Sequence, residues 1–242
     1  MAKVNGLNVR LYVEGYDLSG DANAISAMGY TNELLDVTTL DVSAQKRLVG
    51  IVDSEVTVDA WFDNAASKQH AVWTSNSGKL PTADQDVLIP MGAAVADPCV
   101  GLVAKQGTYT TAKAPGSAIT ATAAYSANGS AVEFGEMMTA HDDTHSSAGS
   151  GTVVDSGAAS TNGGAGYLQV LSVASGSVTV NLQESTSSGG SYSNFMTFST
   201  VAAAAAPTSE RVTMSGNVAR YLKVTTTGTF SNAVIAVGFV RL

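Results

Sequence analysis

Cysteine is almost missing from this chain: Cys99 stands alone among 242 residues. A single thiol excludes an internal disulfide and a paired-cysteine redox or metal site, and nothing in it implies an oxidising compartment. Histidine is nearly as scarce, with His70, His141 and His145 the whole supply. Charge is sparse at 13%, and its balance is negative, with a net of −8. Binding nucleic acid by phosphate neutralisation needs a basic face, so that class of function is set aside. No apolar run approaches the roughly 20 residues that a membrane helix requires. Residues 1–15 lack a basic-then-apolar signal region, because Asn5, Asn8, Arg10 and Glu14 break it up. The expectation is a protein made in a cytoplasm.

What the chain does contain is small and strand-forming. Its hydrophobic content of 45% is reached largely with Ala and Val, and there are 24 glycines. Thr, Val, Ser and Gly favour short strands and turns over helices. The length suits one large or two ordinary domains. Leu7–Glu14 alternates as a first strand, Gly15–Gly20 (G-Y-D-L-S-G) is turn chemistry, and Ala22–Leu35 is extended. Asp63 or Asn64 is placed to cap a helix over Ala65–Ser75. Val87–Met91 and Val100–Thr110 read as strands. Ser117–Ser126 and Ser130–Thr139 are expected to form a hairpin across Asn128-Gly129. His141–Gly151 has Ala148 as its one apolar residue and reads as a linker. Beyond it, Tyr167–Val173, Ser177–Glu184, Asn194–Thr200, Arg211–Met214, Arg220–Thr227 and Ala233–Leu242 are spaced as strands of a sandwich. Residues 1–140 carry 15 acidic and 8 basic side chains, and residues 141–242 carry 5 and 4, so the acidity belongs to the first part.

The most informative stretch is Asn32–Trp73. In Val52–Phe62, the residues Val52, Ser54, Val56, Val58, Ala60 and Phe62 alternate with Asp53, Glu55, Thr57, Asp59 and Trp61. Such a strand is half buried and half wet, with a row of carboxylates on the wet side. Before it runs a polar arm, Asp36–Arg47, that still carries Val37, Leu40 and Val42 among Thr38, Thr39, Asp41, Lys46 and Arg47. A solvating loop has little use for three apolar residues, so the arm is expected to dock on a neighbouring copy.

Signs of chemistry are thin. His141, Asp142, Asp143 and His145 hold metal-ligating groups, but the surrounding Thr, Ser and Gly favour solvated chain over a ligand-bearing helix. Asp84 and Asp86 lack the glycine and closing glutamate of a calcium hand. Cys99 has no partner that sequence nominates and reads as a buried small hydrophobe. No phosphate loop, CxxC pair or G-x-S-x-G elbow occurs. The expectation is a protein that is not an enzyme, with no catalytic, cofactor-binding or metal residues.

The order G-Y-D-L-S-G, then E-L-L-D-V-T-T-L-D at Glu33–Asp41, then R-L-V-G-I-V-D-S-E-V-T-V-D-A-W-F-D at Arg47–Asp63, and then the late hairpin, resembles the tail tube (major tail) proteins of long-tailed, non-contractile bacteriophages. The resemblance implies a mainly β chain: a tail tube domain over 1–140 with two packed sheets and one flanking helix, a linker over 141–151, and an antiparallel β-sandwich over 152–242 displayed outside the tube, immunoglobulin-like or carbohydrate-binding-like. It implies a structural virion protein, made in the host cytoplasm, that stacks as hexameric rings into a tail tube. Its partners would be copies of itself, a tape-measure protein, and tail initiator and terminator proteins, with DNA passing through the lumen unbound. Asp53, Glu55, Asp59 and Glu133 would face that lumen, and Asp36–Arg47 would be the inter-ring arm. The other reading is a carbohydrate-binding or adhesion module, in which Tyr192, Phe195 and Tyr221 of the sandwich stack on a host-surface glycan.

Overall fold

The computed structural model describes residues 8–75 and 77–242, so Leu7 of the expected first strand lies outside the described residues. The fold is almost wholly β. The first part comprises β1 (Tyr12–Val13), β2 (Tyr16–Asp17), β3 (Ala22–Asp36), β4 (Arg47–Trp61), a short helix α1 (Gln69–Trp73), β5 (Gln85–Pro90), β6 (Pro98–Ala112), β7 (Thr120–Ala127) and β8 (Glu133–Met137). The second comprises β9 (Asp143–His145), β10 (Gly149–Asp155), β11 (Gly164–Ser185), β12 (Ser193–Thr197), β13 (Val201–Ala202), β14 (Thr208–Met214), β15 (Tyr221–Thr227) and β16 (Phe230–Arg241).

Antiparallel pairing orders the first part as β3-β4-β7-β6-β5-β1-β2. Its core gathers Leu11, Val13, Val56, Val58, Val87, Val100, Leu102, Ala123 and Tyr125, with Trp73 of α1 fully buried among them. Only five residues of the expected helix are helical. Ser67 sits at φ 62° and Lys68 is extended, which breaks the run that Asp63 was to start. The Asp63 carboxylate instead accepts the Ala65 N–H at 2.8 Å in a local turn.

The expected hairpin across Asn128-Gly129 does not form. β7 pairs with the C-terminal part of β6 and β8 with its N-terminal part. β5 occupies the other edge of β6, so β7 and β8 run end to end along one edge. Gly129 does adopt φ 80°, but the turn makes a detour, and the Asn128 N–H keeps to the ladder by donating to the Val103 carbonyl at 2.8 Å. Local turn chemistry was right; a longer partner strand decided where the chain went.

The second part is a sandwich hinged on one long strand. β11 pairs with β14 and β16 over its first half and with β12 and β15 over its second. The two strands expected at Tyr167–Val173 and Ser177–Glu184 are therefore one strand bent at Gly176, where the chain passes so close to Thr229 that a Cβ would lie 2.0 Å from its carbonyl. Val170, Val180, Leu182, Phe198, Val224, Ile235 and Val237 fill the space between the layers.

The stretch expected to be a free linker, 141–151, is built into this sandwich. β9 pairs with β16, and β10, which starts at Gly149, pairs with β15. Its polar residues serve other strands: Asp142 accepts a hydrogen bond from the Tyr12 hydroxyl at 2.7 Å and lies 3.4 Å from Arg10. The two parts are also joined through β8, which pairs with both β6 and β16, and through a shared cluster of Tyr12, Leu88, Cys99, Met137, Ala165, Tyr167, Ala236 and Val240.

Candidate assembly hairpin and acidic face

β3 and β4 form one long antiparallel ribbon, paired from Ala22 opposite Ala60 to Asp36 opposite Arg47, with register shifts after Ala22, Ile25 and Asn32. β7 supports β4 only from Glu55 to Trp61. From Asp53 through that supported part the expected alternation holds: Ser54, Val56, Val58 and Ala60 are buried, while Asp53, Glu55 and Trp61 are exposed and Thr57 and Asp59 half-buried. Beyond it the ribbon leaves the body of the protein. Val52, expected on the buried face, is 44% exposed, because no layer lies beneath this end of the strand among the described residues.

The protruding end is apolar on both sides. Cross-strand partners share a face, so Leu34 with Val49 marks one side and Leu35 with Leu48 the other. All four are exposed, as are Tyr30 and Ile51. An ordinary surface sheet keeps one polar face. Side chains of this size on both faces of an unsupported ribbon amount to an unfinished core. Alternation alone had missed these residues, although the signal was present: in Leu48, Val49, Ile51 and Val52 apolar residues run through consecutive positions instead of every second one.

The expected arm, Asp36–Arg47, closes the ribbon. Its polar residues tie the loop to itself. The Asp36 carboxylate accepts bonds from the Thr38 hydroxyl and N–H, which hold its pKa below the usual carboxylate range. The Lys46 N–H donates to the Thr38 hydroxyl at 3.0 Å, and Thr39 bonds Asp41. Of the apolar members, Leu40 is wholly exposed, Val37 is 42% exposed and Val42 is half-buried.

Three of the four carboxylates expected on one wall share a sheet face. Asp53 lies opposite Thr31, Glu55 opposite Gly29 and Ser126, and Asp59 opposite Ala24 and Thr122. Thr108 and Thr110 of β6 extend the same face. The direct cross-strand neighbours are small and neutral, with the exposed Trp61 at one end of the same face, and the carboxylates are held by hydroxyls: Glu55 accepts from that of Thr57 and Asp59 from that of Thr122, each at 2.7 Å. Lys105, opposite Ser126 on this face, spends its charge on Asp84 at 2.9 Å.

Glu133 does not belong to that wall. Its carboxylate is 11% exposed and is gripped by Arg211 at 2.6 Å and by the Tyr167 hydroxyl, in the seam between the two parts. Burial and the neighbouring Glu133 charge raise the Tyr167 phenol above its usual range. The resemblance had put Glu133 on the lumen wall; here Tyr167 of β11 and Arg211 of β14 cover its side chain.

The remaining candidates disperse. His141 pairs with Asp142 and His145 with Asp143, each at 3.2 Å, and among the described residues no three His, Cys, Asp or Glu side chains converge as a metal cluster. Cys99 is buried, which pushes its thiol up to about 12. Phe195 packs edge-on against Phe239, while Lys223 lies over the Tyr192 ring and Arg220 over that of Tyr221. No described helix is long and apolar enough to cross a membrane.

No protein-family model matches the chain, and no curated protein matches it. Among solved structures, a chain from the virion of a native gene transfer agent particle is similar at 17% identity and a TM-score of 0.41, covering 55% of this chain and 98% of its own. The SPP1 Dit protein, described as a paradigm of the hub adsorption apparatus of phages infecting Gram-positive bacteria, aligns over 96% of this chain and 99% of its own, with 10% identity and a TM-score of 0.36. A chain of the phage p2 baseplate in its activated conformation gives 8% identity and a TM-score of 0.34. Likeness this partial leaves the functional reading to the chain's own geometry.

Proposed function

We propose that this protein is a structural subunit of a phage-type tail that polymerises with copies of itself, as hexameric rings stacked into a tube, and resides in the virion. The observation that carries the reading is the protruding end of the β3–β4 ribbon, where Leu34, Leu35, Leu48 and Val49 are exposed on both faces. Burying those side chains is worth roughly 1.5–3 kcal/mol each, so a subunit with neighbours on both sides of the ribbon is strongly favoured over one without. The outer edge of β3 adds to this, since no described strand pairs with it and an open edge recruits another chain. Closing such edges into a ring satisfies them.

In this assembly Asp53, Glu55 and Asp59 face the lumen, the arm 36–47 contacts the next ring, and residues 152–242 lie outside. A channel for DNA works best with walls that do not grip phosphate, and a smooth face of Thr, Ala and carboxylates repels it. Tape-measure, initiator and terminator proteins are the further partners. Converting Asp53, Glu55 and Asp59 to Lys is expected to leave tubes intact and stall DNA ejection. Normal ejection through such tubes would reject the lumen assignment.

A further inference from the structure

Glu14, Ser209 and Asp86 meet where the two parts of the chain join. Glu14 and Gly15 form the turn between β1 and β2, and both have positive φ, 53° and 80°. Glutamate is a poor choice there, since Asn, Asp or Gly adopts that conformation more readily. Its side chain has a use, however: Glu14 Oε1 accepts the Asp86 N–H at 2.6 Å. The same oxygen lies 3.2 Å from Ser209 Oγ, and Ser209 Oγ lies 3.2 Å from Asp86 Oδ2. Next to them the fully buried Gln169 accepts the Gly15 N–H at 2.6 Å and donates to the Asp86 carbonyl at 3.1 Å.

A hydroxyl owns one hydrogen. With both carboxylates ionised, Ser209 donates to one of them and turns a lone pair toward the other. One added proton on either carboxyl turns that repulsive contact into a second hydrogen bond. We propose that Glu14 and Asp86 share a proton through Ser209, and that its uptake in mild acid tightens the junction between the two parts of the molecule. The charged and titratable neighbours on the packed elements are Asp84 ahead of β5, Glu210 and Arg211 on β14, and the buried Tyr125 hydroxyl on β7. Arg211 favours the ionised form of Asp86 but is committed to Glu133, whereas Asp84 and Glu210 oppose that form. Burial raises both carboxyls above their usual range, Glu14 further by the charge of Asp86. The sign follows: a carboxyl raised on folding adds stability that is complete below its unfolded pKa and is lost as pH rises through the folded one.

The test is the melting temperature of the full chain between pH 4.5 and 8, for the wild type, Glu14→Gln and Asp86→Asn. The wild type is expected to gain several degrees on acidification, and either amide to flatten that gain while melting higher than wild type at pH 8. Equal slopes in all three proteins would overturn the proposal. Carbon-13 titration of the wild-type side-chain carboxyls gives a reading independent of variant folding: one proton bound well above the ordinary carboxyl range supports the shared proton, and two ordinary titrations overturn it.

Discussion

At the scale of single residues, the joints matter more than the exposed charges. Arg211 holds Glu133 and Tyr167 across the seam, with its side chain 18% exposed. Arg211→Ala leaves a mostly buried carboxylate without its cation and is expected to lower unfolding stability by about 3 kcal/mol, read from chemical denaturation; a change under a third of that would show the triad to be ornamental. Gly15→Ala is expected to be at least as damaging, since its Cβ would lie 2.3 Å from the Thr208 nitrogen at a positive φ, and a melting temperature within a degree of wild type would contradict the close approach. Gly15 was legible as a turn glycine from G-Y-D-L-S-G. The need for it was only half legible, because Thr208 is distant in sequence and no local pattern announces their contact. Glu133, which the resemblance put on the lumen wall, went astray for the same reason, since Tyr167 and Arg211 are distant in sequence. Alternation tells which residues share a face, but not what another part of the chain lays over that face.

At the scale of elements, the β3–β4 ribbon carries the proposal. Its supported half was readable, because Ser54–Ala60 alternates cleanly and a layer exists to bury one side. Its protruding half obeys no alternation, and a two-faced apolar ribbon makes sense only with molecules absent from a single chain. Leu34→Asp and Val49→Asp put charge on one face of the ribbon. Each is expected to abolish self-association while leaving subunit stability within about 0.5 kcal/mol, as for other exposed sites. Sedimentation and thermal melting read the two effects separately, and full-sized assemblies from both variants would clear the ribbon of any role. Deleting Val37–Val42 is expected to give a folded, soluble subunit that does not polymerise; tubes forming regardless would dismiss the arm. Elsewhere, strand positions in the sandwich were well marked by Gly, Ser and Asn turns, and the apolar β16 lies between β11 on one side and β8 and β9 on the other. Pairing was harder to foresee than position. Asn128-Gly129 has the chemistry of a hairpin, yet the length of β6 lets both flanking strands lie along one edge.

At the scale of the whole molecule, the two parts are fused through a continuous sheet, a shared apolar cluster and two polar clamps, so the C-terminal sandwich moves with the body that carries it. A fragment beginning near residue 150 would strip β8 and β9 from β16, and tests of the sandwich belong on the full chain. Composition had made the acidic balance of residues 1–140 visible, and the wet face of β4 gathers three of those carboxylates among small neutral residues. The central claim is that the chain completes its core only in company with itself. Negative-stain electron microscopy of the purified full chain at rising concentration, with and without tape-measure and initiator proteins, tests it most directly. Rings or tubes with an open central channel are the expected result. Isolated single particles under every condition, with the ribbon still bare to solvent, would contradict it.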